Sequence, residues 1–237
     1  MKIVDLSMEI HRDMMVYQSL PQPMVLMLES WQGMAARFGT TRWGVDIAPG
    51  HYVLIMSDHT GTHIDAPYHN NPEAERPAGI PLEWCFSDGV VLDFSDKKPG
   101  YEITPRDLER ALKKIGYELK PLDIVLIRTD VGKICHKPEY LTQHPGVGAA
   151  ATEWLIDQGI RVMGIDAPGW DIPVWAMFKR KKFWESHRVM LKKPYCHVEN
   201  MVNLHRLRPP FGFKVSLLPL KLRDSTGSPI RAVAIYE

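Results

Sequence analysis

Apolar positions along this chain fall in short runs separated by proline- and glycine-rich stretches, the spacing expected of short strands rather than long helices. Ile3, Val4 and Leu6 mark a first strand over residues 2–7. Residues 13–28 alternate Met, Val and Leu around Pro21 and Pro23, which predicts an extended, irregular segment. Trp31, Phe38 and Trp43 stand among glycines in residues 29–50, a composition that predicts a loop or hairpin, not a helix. The run from His51 to Met56 is strand-like, and the proline-rich residues 70–89 are expected to wander over the surface. Gly89–Phe94 and Asp123–Arg128 read as buried strands, with a helix between them. That helix starts at Thr104 as N-cap and Pro105 at the first helical position, and stops at Gly116. Residues 130–147 predict a connecting loop, Ala149–Asp157 a helix closed by Gly159, and Ile160–Ile165 a strand. Strand, helix, strand, helix, strand from about 89 to 165 implies βαβ units over a partly parallel sheet. Phe213–Leu220 and Ala232–Tyr236 return to strand patterns, with a turn at residues 224–229. The expectation is an α/β fold: a mixed β-sheet core with flanking helices, in a single domain over residues 1–237.

Composition changes this picture little but excludes several functions. With 45% apolar and 24% charged residues the chain is of ordinary globular type. Lys+Arg 29 against Asp+Glu 28 leaves a net charge of +1, which gives no electrostatic case for nucleic acid or an anionic membrane. No apolar run of membrane-spanning length occurs. The N-terminal run is broken by Asp5 and Glu9 and does not read as a signal peptide. Cys85, Cys135 and Cys196 form no Cys-x-x-Cys pair and read as free thiols, so the cytoplasm is expected.

The candidate chemistry is concentrated in residues 57–69, Ser-Asp-His-Thr-Gly-Thr-His-Ile-Asp-Ala-Pro-Tyr-His. His59, His63, Asp65 and His69 are side chains suited to a divalent metal, and imidazole with carboxylate is a usual donor set for zinc or manganese. Two imidazoles and a carboxylate leave coordination positions open, as in catalytic sites. Gly61 and Pro67 mark an ordered turn. The alternative is a polar surface loop.

His59 to His69 fits H-x-G-T-H-x-D-x-P-x-H at each of seven fixed positions in eleven, and so resembles the signature of the metal-dependent cyclase family, which includes bacterial kynurenine formamidases and isatin hydrolases. Asp5-Leu-Ser, Val125-Leu-Ile-Arg-Thr129, Pro145-Gly146, Gly164-Ile-Asp166-Ala-Pro168 and Gly227-Ser-Pro-Ile-Arg-Ala also look like family segments. The resemblance implies a swivelling β/β/α fold and a homodimer. It implies metal ligands at His59, His63 and Asp65. A His and a Glu twelve residues apart complete the family's site, and His187 and Glu199 have that spacing. Asp65, His187 and Glu199 would reach a second ion, with Asp65 bridging, and His69 would be the catalytic acid/base. The implied activity is hydrolysis of an amide-type C–N bond by metal-activated water. The small-molecule substrate would be an N-formyl arylamine such as N-formylkynurenine, or a cyclic amide such as isatin. A histidine near a metal but not bound to it suits proton delivery to a leaving nitrogen. His69 could otherwise be a fourth ligand or hold one. The competing functions are a cyclase or lyase acting on a polyketide-like carbonyl, and a metal-binding protein without turnover.

Other positions are more open. Strand alternation would put His197 on the face of Glu199; Glu199 is preferred as the ligand for its spacing from His187. Asp166 and Asp171 flank Pro168-Gly169 and suit a turn or cap. His136 and His144 read as surface residues, and Cys196 as a buried thiol. Tyr17 could face a pocket. Trp170, Trp175, Phe178, Phe183 and Trp184 surround the basic run Lys179–Lys182. That segment is either a solvated surface or a lid or dimer contact, in which Trp170 and Trp175 would touch substrate.

Overall fold

The buried runs of the sequence become the middle of one large mixed sheet, seen in a computed structural model that describes residues 1–236; Glu237, the end of the expected domain, lies outside the described residues. In chain order the elements begin with β1 (Lys2–Asp5), β2 (Met24–Glu29), α1 (Trp31–Phe38), β3 (His51–Ile55) and β4 (His63–Asp65). Next come β5 (Phe86–Asp93), β6 (Glu102–Ile103), α2 (Pro105–Ile115), β7 (Ile124–Arg128), β8 (Gly146–Val147), α3 (Ala149–Asp157) and β9 (Val162–Ile165). The last are α4 (Val174–Arg180), β10 (Cys196–Glu199), β11 (Phe211–Ser216), β12 (Gly227–Pro229) and β13 (Val233–Tyr236).

The nine-stranded sheet has the order β1-β13-β11-β5-β7-β9-β10-β4-β12. Its centre, β5 to β10, is parallel, as the βαβ reading expects, and antiparallel strands extend it on both sides. Alternation along each central strand sends side chains to two cores. Val125 and Ile127 join Leu108 and Leu112 of α2 and Leu155 and Ile156 of α3 on the helical side. Ile124 and Leu126 face the other cluster, where Val4 and Ala234 from one end of the sheet meet Ile64 and Val198 from near the other end. Residues so far apart in strand order share a core because the sheet curls round on itself.

Helix α2 is held as the sequence predicts. The Thr104 hydroxyl accepts from the Asp107 amide at 3.3 Å, and the Asp107 carboxylate accepts from the Thr104 amide at 3.0 Å. Gly116 ends the helix at φ 68. Thr104→Ala should cost about 1 kcal/mol in a urea melt at neutral pH. Burial alone would raise the Asp107 pKa, but hydrogen bonds from Thr104, Tyr101 and Arg110 bring it from 3.8 down to about 2. A carboxylate with a depressed folded-state pKa stabilises the fold above its unfolded value, and loses that contribution as pH falls through the folded value. The cost of Thr104→Ala should therefore shrink between pH 3.8 and about 2; a cost that is the same at both ends would mean the box does not act as a unit.

Four expectations are corrected. Residues 31–38 form a helix, capped by the Ser30 hydroxyl accepting from Gly33 N at 2.9 Å and stopped at Gly39 with φ 68. Residues 24–29, expected in part to be irregular, form a strand paired with β3, with a bulge between Met27 and Glu29. The turn expected over 224–229 contains β12, because residues 227–229 pair with β4. Ile80 and Cys85 are buried, so the 70–89 segment is only in part a surface excursion.

Candidate metal centre

The site is built on the antiparallel pairing of β4 with β10, in which His63 lies opposite Glu199 and Asp65 opposite His197. All four side chains emerge on the helical side of the sheet, while Ile64 and Val198 between them enter the opposite core. One registered pair of strands therefore presents two imidazoles and two carboxylates from segments more than a hundred residues apart.

Loops supply the other groups. His59 precedes β4 and is clamped by the 224–229 turn. The Asp58 carboxylate accepts from Thr226 N at 2.9 Å and Gly227 N at 3.2 Å, and His59 Nε2 lies 2.7 Å from the Thr226 hydroxyl. A Cβ at position 227 would fall 2.7 Å from the His59 ring, so glycine is required for this close approach. His69 ends a 3₁₀ turn over Pro67–His69 that follows β4. His187 opens the 3₁₀ turn His187–Leu191, where Asp171 accepts from Ser186 N at 2.9 Å, His187 N at 3.1 Å and His187 Nδ1 at 2.5 Å.

His63 donates Nδ1–H to the Gly61 carbonyl at 2.8 Å, which leaves the Nε2 lone pair facing the carboxylates. The Asp171 contact to His187 Nδ1 does the same for that ring. His59 Nδ1 is 2.8 Å from Asp65 Oδ1 and His63 Nε2 is 3.2 Å from the same oxygen, yet that buried oxygen has no hydrogen bond. His187 Nε2 is 3.6 Å from Asp65 Oδ2 and 3.5 Å from Glu199 Oε1. Ring nitrogens gathered on carboxylate oxygens without hydrogen-bond geometry are what a divalent cation requires, so the donor set fits the metal that the motif implies.

The charge balance agrees. Burial works against ionisation of Asp65, but His59, His69 and His197 around it hold its pKa well below 3.8. Burial likewise opposes ionisation of Glu199, and His197 beside it brings the pKa to about 2. His59, despite burial, is raised to about 9 by Asp65. His69 is lowered to about 4, first by burial and then by its neighbouring imidazoles, so it is neutral near pH 7. That is further from neutrality than the acid/base expectation assumes.

A cavity of about 320 Å³ opens above the cluster. His59, His63, Asp65, His69, His187 and Glu199, the six residues expected at the site, all line it, and so does Tyr17. Trp170 and Trp175, expected against substrate, do not. Trp170 is fully buried below the site, its indole donating to Thr152 at 2.9 Å and its amide to Glu199 at 2.7 Å. Trp175 points away and donates to the Thr142 carbonyl at 2.9 Å. Trp184 takes the place expected of them, on the cavity wall. His144 is not a surface residue: it is buried, faces the cavity, and burial lowers its pKa to about 4. Asp166 serves the turn, accepting from Thr129 and Asp130 amides at 2.6 and 3.0 Å, and Asp171 positions His187. His136 is exposed and Cys196 is buried with its thiol pushed up by burial, as read from sequence.

His197 was set aside in favour of Glu199, but alternation already put both on one face and the structure keeps both. Its Nε2 lies 3.1 Å from Asp65 Oδ2 and 3.2 Å from Glu199 Oε1.

A curled mixed sheet that gathers imidazoles and two carboxylates at the floor of a cavity has the layout of a metal-dependent enzyme. The chain belongs to the cyclase family, described as "Putative cyclase", whose match covers residues 4–172. His187 and Glu199 lie beyond that match and rest on the geometry. The chain is 30% identical over 181 residues to a kynurenine formamidase of Bacillus cereus, covering 76% of this chain and 77% of that one. It is 32% identical over 181 residues to the kynurenine formamidase of Bordetella avium, covering 76% and 78%. Its structure superposes on isatin hydrolase A from Labrenzia aggregata bound to benzyl benzoate, with TM-score 0.84, 25% identity, and 99% and 93% of the two chains covered. For isatin hydrolase A from Ralstonia solanacearum the TM-score is 0.85 at 21% identity, with 100% and 92% covered.

Proposed function

We propose that this hydrolase cleaves the amide-type C–N bond of an uncharged aromatic substrate, either an N-formyl arylamine or a cyclic amide such as isatin. The observation that carries the reading is the position of His69. It stands on the cavity wall as the most exposed histidine of the cluster, its side chain 31% exposed against 12% for His59 and 3% for His63, which turns it toward substrate. In this reading His59, His63 and Asp65 hold one divalent ion, zinc or manganese, and Asp65, His187 and Glu199 reach a second. A divalent ion bound there would polarise a carbonyl oxygen and bring the pKa of a water down toward neutrality. His69, neutral near pH 7, takes the proton released as water adds to the carbonyl carbon. It returns that proton to the nitrogen as the C–N bond breaks, so that a carboxylic acid and an amine result. Asp171 keeps the His187 ring in place throughout.

The cavity wall argues for an uncharged substrate. Tyr17, Leu20, Leu141, Ile172, Met177 and Trp184 face it, and among the described residues no lysine or arginine does. A substrate carboxylate buried there would lose its hydration without a cationic partner. The likeness to a structure holding benzyl benzoate, a neutral aromatic ester, agrees with this. N-formylaniline or isatin should therefore exceed N-formylkynurenine in kcat/KM by at least about tenfold, a difference of ~1.4 kcal/mol. A preference for N-formylkynurenine in steady-state assays would reverse the assignment.

A homodimer belongs to the same proposal. Strands β2 and β3 pair only with each other, and twelve of the twenty-two large apolar side chains exposed among the described residues lie within residues 24–55. A lone two-stranded hairpin is marginal in water, so a second copy covering Leu26, Leu28 and Leu54 accounts for it. Leu28→Glu should give a monomer by light scattering where the native chain gives a dimer; equal masses would refute this use of the arm. Cys85, Cys135 and Cys196 are all free, in keeping with a cytoplasmic enzyme. No described helix is long and apolar enough to cross a membrane.

A further inference from the structure

We infer that His197 is a fourth protein donor to the deeper of the two cation positions, closing it, so that the deep ion is structural and the chemistry belongs to the outer one. The inference rests on the reading of the site as a metal centre.

The deep position is outlined by Asp65 Oδ2, His187 Nε2, Glu199 Oε1 and His197 Nε2. Asp65 to His197 is 3.1 Å, His197 to Glu199 is 3.2 Å, Glu199 to His187 is 3.5 Å, and His187 to Asp65 is 3.6 Å. These distances lie close to the edges of about 3.3–3.4 Å that four donors around a tetrahedral zinc would have, and all four donor atoms lie within 4.8 Å of one another. All four side chains are buried.

His197 itself supplies the independent observation. Its exposure is 0%, and neither ring nitrogen makes a hydrogen bond, although Nε2 lies close to two carboxylate oxygens. A buried imidazole left without partners is costly, and a cation at the point where both carboxylates face Nε2 would satisfy that nitrogen, Nδ1 staying without a partner. The ring is held by packing. It stacks on Trp170 with centroids 5.7 Å apart, and meets His187 edge-on at 4.5 Å. Trp170 is thus a support for the donor set rather than a contact for substrate. Unlike Asp65, His187 and Glu199, His197 does not reach the cavity.

Four protein donors leave no position for water or substrate, which is the pattern of structural sites; three donors with open positions mark catalytic ones. The outer group of His59, His63 and Asp65 keeps the open layout and faces the cavity.

The test measures bound metal, not turnover. The full chain is loaded with zinc, desalted, and assayed by elemental analysis and by release to a chelator. The native chain is expected to hold two ions per chain released in two phases. In His197→Gln the slow phase should release at least about tenfold faster while the fast phase is unchanged. Because His197→Gln could fold poorly, cobalt is also loaded into the native chain, where the slow ion should show the intense visible bands of four-coordinate cobalt. His197→Gln indistinguishable from native in stoichiometry and both phases would overturn the inference, as would weak six-coordinate cobalt bands alone. Absence of any retained ion in the native chain would overturn the metal reading with it, and is thereby told apart from failure of the His197 assignment.

Discussion

Replacing His69 with alanine lowers kcat roughly 10²–10⁴-fold, the usual share of a positioned acid/base, while bound metal stays at the native level. The second half of the expectation separates His69 from its neighbours. Its ring packs 4.3 Å from that of His59, yet its side chain is 31% exposed where that of His59 is 12%, so it faces substrate more than the buried carboxylates. Removing it therefore subtracts a proton carrier, not a donor. Elemental analysis of the purified variant, set beside steady-state kinetics on an N-formyl arylamine, decides the matter. Loss of metal in parallel with activity would make His69 a ligand, and full turnover would remove it from the mechanism.

Asp65→Ala has the larger effect, because both halves of the centre are drawn onto this one side chain. Oδ1 faces His59 and His63, and Oδ2 faces His69, His187 and His197. Without the carboxylate, those imidazoles converge on a gap with only Glu199 to offset a cation. Metal content and turnover are expected to fall to background together, and His63→Ala, by comparison, should spare the ion on the far side. Native-level metal in Asp65→Ala would show that the carboxylate bridges nothing. Circular dichroism of the variant checks that β4 still pairs.

The motif loop is legible because its chemistry is local: four of its side chains sit within eleven residues, and Gly61 and Pro67 announce the turns that aim them. The central strands are legible for a similar reason, since residues 89–92 of β5, 124–127 of β7 and 162–165 of β9 are continuous apolar runs buried on both faces. The 24–55 arm is not. Its strands and helix expose apolar residues on faces that in a lone chain should be polar, so amphipathic period gives no clear signal. His144 was misjudged because burial depends on what packs over residues 141–147, which is set by the distant segment 168–177. The aromatics of 170–184 show the limit of composition. Trp170, Trp175 and Trp184 look interchangeable in sequence, yet only Trp184, at φ 48, faces the cavity. His197 was within reach, since alternation alone placed it beside Glu199.

The pairing of β4 with β10 has a consequence for how the protein folds. His63 meets Glu199 only when strands separated by well over a hundred residues of intervening chain have closed in the correct register. Closing so long a loop is entropically unfavourable, and a slip of one residue would turn every donor to the wrong face. The donor set therefore cannot form ahead of the sheet. An ion that binds only the completed set draws the equilibrium toward that register, and acts as a proofreader of strand alignment before it serves any substrate.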